Sequence, residues 1–357
     1  DALSCGPIMN TIRASTALFE GAVSFDESPA GIAPLRLPVE RAALFPSPDD
    51  RLMERARSAS GVRLRFATDS RRFELAVEPA ATDDEPRLVD LTIDGELADS
   101  RPVPSGSPSV AFELPGRGQG SRGVGSHDPG LPVYELWLHQ FHPTRVASIA
   151  VDDGAAFAVP ADPRPRWLTY GSSITMCRTA TSPARTWPAV AARAHGLNLT
   201  SLGFGGECHL DPMVARVARD LPAEIITLKL GINVYGGASL NARSYPGAVI
   251  GLVSIIRERH PTTPIGVITS IVSPEREAAV NAVGCTLEDY REMTRDATRR
   301  MQQSGDELRA LFEGTDLFGE SDAHLLPDGL HPNGEGYELI GRRVAERVLP
   351  QLLAMRR

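Results

Sequence analysis

Four short segments in the C-terminal half of the chain carry, in order, the polar groups that acyl chemistry on a serine requires. They are Tyr170-Gly171-Ser172-Ser173-Ile174-Thr175, Gly203-Phe204-Gly205-Gly206, Leu230-Gly231-Ile232-Asn233 and Asp328-Gly329-Leu330-His331-Pro332. Ser173 follows an apolar run through Gly171, so a strand-to-helix turn would present its hydroxyl at a sheet edge, beside the N–H groups of a helix start. A serine hydroxyl is a poor nucleophile until a base takes its proton. Of the eight histidines, His331 has the best surroundings: Asp328, three residues earlier, can hold one ring nitrogen, fix the tautomer and stabilise the imidazolium. The tetrahedral intermediate then needs donors aimed at its oxyanion, each typically contributing about 3 kcal/mol. The Ser173 and Gly206 N–H groups and the Asn233 side-chain amide are the candidates. Each residue also has a bland alternative. Ser172 or Ser173 can simply cap a helix, Asp328-Gly329 can be a surface turn, and Gly206 and Asn233 are common turn residues. The weight rests on four segments occurring together.

Such groups need elements that bring them to one edge. From Trp167 onward strands alternate with helices: a strand over 167–170, a helix over about 183–194, and a strand over 197–202. A helix opens at Asp211-Pro212, with a capping residue followed by proline. Strands follow at 225–230 and 265–271, with a helix over 246–259 between them. Thr286 with Asp289 resembles a capping box for a helix reaching about Gln303, and a last helix runs over about 335–348. This alternation predicts a mostly parallel sheet covered on both faces. Ligands bind outside the carboxyl ends of such strands, where three of the four segments fall; the fourth lies in the loop before the last helix.

The first 160 residues read differently. Val62, Leu64 and Phe66 alternate with Arg63 and Arg65, and Phe73, Leu75 and Val77 repeat the pattern. Further runs lie at 88–93, closed by the tight-turn pair Asp94-Gly95, and at 110–114, 133–138 and 146–151. Short strands at this spacing predict an antiparallel, jelly-roll-like β-sandwich. Residues 116–130, rich in Gly, Ser and Arg, read as a mobile loop. The fold class is therefore α/β, with a β-sandwich over 1–160, a proline-stiffened linker at 160–165 and an α/β/α domain over 161–357.

Composition narrows the partners. The 357 residues carry a formal net charge of −8, which argues against nucleic acid and anionic membranes. Lys229 is the only lysine, so the positive charge is arginine, as in a GC-rich genome. No apolar run approaches the roughly 20 residues of a membrane span, and no basic-then-apolar leader is seen. Cys5, Cys177, Cys208 and Cys285 fit no zinc or CxxC spacing, and free thiols in a reducing cytoplasm are expected. Asn198-Leu199-Thr200 matches a glycosylation sequon by chance, in a buried strand.

The four segments resemble the SGNH, or GDSL, hydrolases, whose signature residues match Ser173, Gly206, Asn233 and His331, with the family's aspartate at Asp328. The resemblance covers about 164–345. It implies a serine acyl-enzyme formed from an ester or thioester, passed on to water or to another hydroxyl, with no metal or organic cofactor. Two positions depart from the pattern: Ser172 and Val234 stand where the family usually or often has Asp. Loss of two carboxylates predicts a drier, less acidic pocket suited to an aromatic or apolar acyl group. The β-sandwich, with Ser182-Pro183-Ala184-Arg185-Thr186-Trp187-Pro188 and Leu228-Lys229-Leu230-Gly231-Ile232-Asn233-Val234, is similar to two-domain carbohydrate esterases and to an actinobacterial group that includes a salicylyl acyltransferase of tetracycline biosynthesis. The resemblance implies transfer of an aryl, salicylyl-like acyl group from a small thioester donor to a polyketide hydroxyl. Ester hydrolysis, carbohydrate esters included, is the alternative. A different class is a carbohydrate-binding module using Trp137, Tyr134 or Phe141 as a stacking surface, although alternating strand aromatics are more often core.

Other residues read blandly. His139 and His142, taken as strand residues, face opposite sides and make a poor metal pair. Glu207 and His209 either contact substrate or belong to a solvated loop. Cys177 and Cys208 read as small pocket-lining residues rather than nucleophiles.

Overall fold

Alternating apolar residues draw the N-terminal part of the chain into two antiparallel sheets facing each other. In the computed structural model, which describes residues 8–78, 86–103, 106–114, 130–307 and 309–356, one sheet has the order Ser24–Ser28, Gly31–Leu35, Val146–Asp152, Arg72–Val77, Ser109–Glu113, with Met9–Arg13 also paired to Val146–Asp152. The other has the order Phe157–Ala158, Arg63–Thr68, Val133–Trp137, Arg87–Ile93, Glu96–Val103, with Phe19–Glu20 added beside Arg63–Thr68. Phe66, Phe73, Phe112, Leu136 and Ile149 fill the space between them. Asp94 and Gly95 both take positive φ, 51° and 87°, as a two-residue hairpin turn requires. The loop expected over 116–130 lies almost wholly outside the described residues.

The second part forms a five-stranded parallel sheet: β1 Arg166–Gly171, β2 Asn198–Gly203, β3 Ile225–Lys229, β4 Ile265–Ile268 and β5 Arg309–Phe312, in the order β2-β1-β3-β4-β5. Helices flank it. Trp187–Ala194 packs on Gly334–Arg347, while Tyr245–Arg257 lies between Pro212–Asp220 and Leu287–Gln303. The chain departs from β1 in opposite directions, to β2 on one side and β3 on the other, which opens a crevice at their carboxyl ends. The Thr286 capping box forms, Asp289 N–H donating to Thr286 Oγ1 at 3.1 Å and Thr286 N–H to Asp289 Oδ2 at 2.7 Å. Among the described residues no helix is long and apolar enough to cross a membrane.

Three local expectations change. The helix over 183–194 is broken: Pro183–Arg185 is a single 3-10 turn, and the α-helix restarts at Trp187. Pro188 has no N–H to continue the earlier turn, and Thr186 turns extended to cap the new helix. Pro212 opens its helix as expected, but the Asp211 side chain makes no cap bond. Third, the Arg63/Arg65 alternation suggested a wet outer face, whereas Arg63–Thr68 is buried on both sides.

That face is buried because the α/β part packs on it. Arg63, fully buried, donates to Glu135 Oε1 at 3.0 Å, Leu199 O at 3.0 Å and Asn198 Oδ1 at 2.7 Å, and stacks on Trp137. Asn198, the sequon residue, is thereby buried in the junction. Asp90 accepts from Ser182 Oγ and the Ala184 N–H at 2.5 and 2.7 Å. The Gln140 amide donates to the carbonyls of Arg178 and Ala180. Leu37, Phe45, Leu52 and Trp137 join the apolar core of the α/β part. These bonds tie the two parts together at named residues, although Asp90 Oδ1 and Gln140 Oε1 have no hydrogen-bond partner among the described residues.

Candidate active site

Ser173 is the first residue of a one-turn helix, Ser173–Met176, that starts directly after β1. Ser172 is its cap, accepting from the Ile174 N–H at 3.2 Å, so the capping role falls to Ser172 and the Ser173 hydroxyl is left facing outward. The helix sits tight on β2: a Cβ on Gly203 would lie 2.5 Å from the Met176 backbone nitrogen, so only glycine fits there.

The acid–base loop closes on Ser173 from the far end of the chain. His331 Nε2 lies 2.9 Å from Ser173 Oγ, and His331 Nδ1 lies 2.6 Å from Asp328 Oδ2. Since Nδ1–H faces a carboxylate, Nε2 is the nitrogen left to accept the serine proton. Partial burial works against the Asp328 charge, but the His331 N–H, the His331 ring and the Leu330 N–H outweigh it and hold its pKa down to about 2. The carboxylate therefore stays ionised across the working pH range.

Gly206 and Asn233 face the same space. Gly206 has φ +80°, a left-handed conformation that suits glycine. Its carbonyl accepts from His209 Nε2–H at 2.9 Å, and His209 Nδ1 in turn pairs with Ser239 Oγ at 2.7 Å. Asn233 Oδ1 accepts from the Cys208 N–H at 3.0 Å, which fixes the amide flip and leaves its NH₂ as the free donor. A cavity of about 630 Å³ adjoins Ser173, Gly205, Gly206, Asn233, Asp328 and His331. That volume is ordinary for a small-molecule site.

Of the rest of the wall only Phe141 is singled out in the sequence, as a candidate stacking residue. Arg51 and Arg55 come from the helix Arg51–Ala56, Phe141 from the segment after Trp137, and Arg178 from just beyond the Ser173 helix. Behind the wall, Arg36 is fully buried with no carboxylate among its bonded partners. It donates to the carbonyls of Ser58, Ser201 and Gly203 at 2.7, 3.2 and 2.6 Å and stacks on Phe204. Burial pulls its pKa down to about 9, which still leaves it charged at neutral pH. The helix Arg51–Ala56 was not read from the sequence, where this part of the chain reads as β.

Several expectations are corrected. Cys177 and Cys208 are buried and do not line the cavity; burial pushes both thiols up, Cys208 to about 12, so neither is a ready nucleophile. His139 and His142 do not face opposite ways. The strand ends at Trp137, and a turn in which His139 Nδ1 accepts from the Phe141 and His142 N–H groups brings the two rings to 4.9 Å. Among the described residues no group of three His, Cys, Asp or Glu is disposed to hold a metal. Glu207 and His209 support the loop from outside the cavity, Glu207 lying buried 3.8 Å from Arg51. Tyr134 and Trp137 are buried, which removes them as a stacking surface; Phe141 alone of the three reaches the cavity.

Residues 169–339 match the GDSL-like lipase/acylhydrolase family, and residues 17–142 match the N-terminal domain of SsfX3. Among solved structures, the salicylyl-acyltransferase SsfX3 from a tetracycline biosynthetic pathway is 31% identical, with a TM-score of 0.85 over 98% of this chain and 99% of that one. The chain belongs to the GDSL-like lipase/acylhydrolase family. It is thus an acylhydrolase-type enzyme with an SsfX3-type N-terminal domain. Two more distant structures share the fold. One, described as a GDSL-like lipase from Bacteroides ovatus, is 18% identical with a TM-score of 0.73, covering 97% of this chain and 98% of its own. A family two carbohydrate esterase from Clostridium thermocellum is 14% identical with a TM-score of 0.58, covering 94% and 99%. No curated protein sequence matches the chain. At the two positions that depart from the GDSL pattern, Ser172 and Val234 are buried and neither lines the cavity. The expected drying of the pocket therefore has no direct route through them, and arginines dominate its charge.

Proposed function

We propose that this enzyme transfers an aryl, salicylyl-like acyl group from a thioester to a hydroxyl of a polyketide-type acceptor, through an acyl-enzyme on Ser173. The observation that carries the chemistry is the relay from Ser173 Oγ to His331 Nε2 at 2.9 Å and from His331 Nδ1 to Asp328 at 2.6 Å, opening on the cavity. Ser173 Oγ attacks the thioester carbonyl as its proton moves to His331 Nε2. Asp328, held ionised, stabilises the imidazolium. The Ser173 and Gly206 N–H groups and the Asn233 NH₂ receive the oxyanion. Collapse expels the thiolate, which leaves with the proton from His331. The acceptor hydroxyl then gives its proton to the same nitrogen, attacks the acyl carbon, and Ser173 is regenerated.

The 31% identity to SsfX3 over nearly the whole chain supports transfer and an aryl acyl group. A cavity of about 630 Å³ has room for more than an acetyl group. We assign residues 1–160 to the accessory β-sandwich and 161–357 to the catalytic domain. The described cysteines, Cys177, Cys208 and Cys285, are free and buried, which fits the reducing cytoplasm expected for this protein. The test is the fate of the acyl group when benzoyl and acetyl thioesters are offered with a polyphenolic alcohol. Transfer is expected to outrun hydrolysis, with benzoyl preferred. Acetyl preference by about tenfold, a gap of roughly 1.4 kcal/mol, or discharge to water alone, would make the enzyme an esterase instead.

A further inference from the structure

Part of the cavity wall is cationic in a protein that is acidic overall. Arg51, Arg55 and Arg178 line it, and among the described residues the one lining carboxylate is Asp328, which is already bonded to His331. The whole chain carries a formal charge of −8, so this local excess runs against the molecule's own field. Two of the arginines share one aromatic ring. The Arg178 guanidinium carbon lies 4.2 Å from the Phe141 ring centroid, and that of Arg55 lies 5.6 Å from it. Stacking on a ring fixes the plane of a guanidinium while leaving its edge N–H groups for a planar or tetrahedral anion. For two of them the counter-charges are exposed or distant: Arg51 lies 3.9 Å from the exposed Asp49 and 3.8 Å from Glu207, while Arg55 pairs with the exposed Glu54 and donates to Gly205 O at 3.3 Å. Glu207 sits behind Arg51, outside the cavity, and burial pushes its pKa up, which weakens it as a counter-ion.

We propose that a substrate of this enzyme carries an anionic group, a phosphate or a carboxylate, and that the Arg55–Phe141–Arg178 stack with Arg51 binds it while the acyl carbon meets Ser173. The inference rests on the acyl-transfer reading and adds what the second part of the substrate must look like. The shared chemistry is an oxyanion presented to guanidinium edges. It can arrive on the donor, as the phosphates of a nucleotide thioester, or on the acceptor, as a ring carboxylate.

The test uses the full-length enzyme and the variants Arg51→Gln, Arg178→Gln, their double, and Arg178→Lys. Acylation rates are compared for benzoyl coenzyme A and the uncharged benzoyl N-acetylcysteamine thioester, and discharge rates for a hydroxyaryl carboxylate and its methyl ester. The expected result is a preference for the anionic member of one pair that falls at least tenfold in the double glutamine variant and is partly kept by Arg178→Lys. Loss confined to the donor pair assigns the anion to the donor, and loss confined to the acceptor pair assigns it to the acceptor. A selectivity that stays within twofold in both pairs overturns the proposal. Equilibrium titration with free coenzyme A and with hydroxybenzoate separates the two readings. Glutamine-sensitive binding without acylation of Ser173 would keep the anion site and sink the acyl-enzyme. Acylation without glutamine-sensitive binding or selectivity would do the reverse.

Discussion

The two halves of the proposed reacting centre are built in opposite ways. The acid–base half is local: Asp328 and His331 lie in one turn, and the carboxylate accepts the His331 N–H, the Leu330 N–H and the ring Nδ1–H within four residues. The proposed oxyanion half draws on partners both near and far in the chain. Gly206 is steadied by His209, Asn233 by Cys208, Gly205 by Arg55, and the carbonyls of Ser201 and Gly203 by Arg36, more than 160 residues away in sequence. A local turn preserves its geometry wherever the loop is carried. A long-range assembly depends on a second domain being docked. The N-terminal part therefore buttresses the candidate site through Arg36 and Arg55, and the carbohydrate-module reading loses its surface with the burial of Tyr134 and Trp137.

Substitutions can break this contrast at graded cost. Asp328→Asn should have the largest effect of the four, lowering the acylation rate by roughly 10³–10⁴ because the wrong tautomer is favoured, with the melting temperature little changed; stopped-flow acylation reads it. Asn233→Ala removes one oxyanion donor and should cost about 10²–10³ in kcat with KM nearly constant. Arg36→Lys cannot reproduce the bonds to Ser58, Ser201 and Gly203. It should lower kcat by about tenfold (~1.4 kcal/mol) with a smaller change in KM, in a protein that circular dichroism finds folded. If kcat holds and only stability falls, Arg36 is a structural bolt and the long-range half of the comparison fails.

The smallest catalytic effect is expected at Lys229, which is buried beneath the site with no hydrogen-bond partner for its amine among the described residues. Burial lowers its pKa to about 8, with the thiols of Cys208 and Cys177 opposing the shift. The folded value lies below the unfolded one, so the unfolded chain binds more protons between about pH 8 and the ordinary lysine range. Stability should rise as pH climbs through that window and carry the full penalty below it, on the order of 3 kcal/mol. Lys229→Met should flatten that rise and stabilise the protein at neutral pH, as denaturant midpoints at pH 7 and pH 9.5 would show. An unchanged pH slope would mean that the amine is hydrated.

The same contrast explains what could be read from the sequence. Ser173, Asp328 and His331 stand out through neighbours in the chain, and the β/α alternation around them is carried by periodicity, so the sheet, and the meeting of these three side chains at its edge, could be anticipated. Thr286 and Asp289 were legible for the same reason. Arg36, Arg55 and Arg178 were not, because an arginine in an arginine-rich chain carries no local mark of burial or of a cavity, and for Arg36 and Arg55 the site lies about 150 residues or more further along the chain. Arg63 and Arg65 actively misled: their alternation with Val62, Leu64 and Phe66 encodes a polar face, and only the docked α/β part makes that face interior. His139 and His142 misled because they were taken as strand residues, whereas the strand ends at Trp137 and a turn follows.

The most direct test of the account is the intact mass of the protein after mixing with benzoyl and salicylyl thioesters, alongside Ser173→Ala. A mass gain equal to one acyl group, absent in Ser173→Ala and discharged faster by an added hydroxyl acceptor than by water, is the predicted result. An acyl adduct that persists in Ser173→Ala, or no adduct and no turnover in a folded protein, would contradict it.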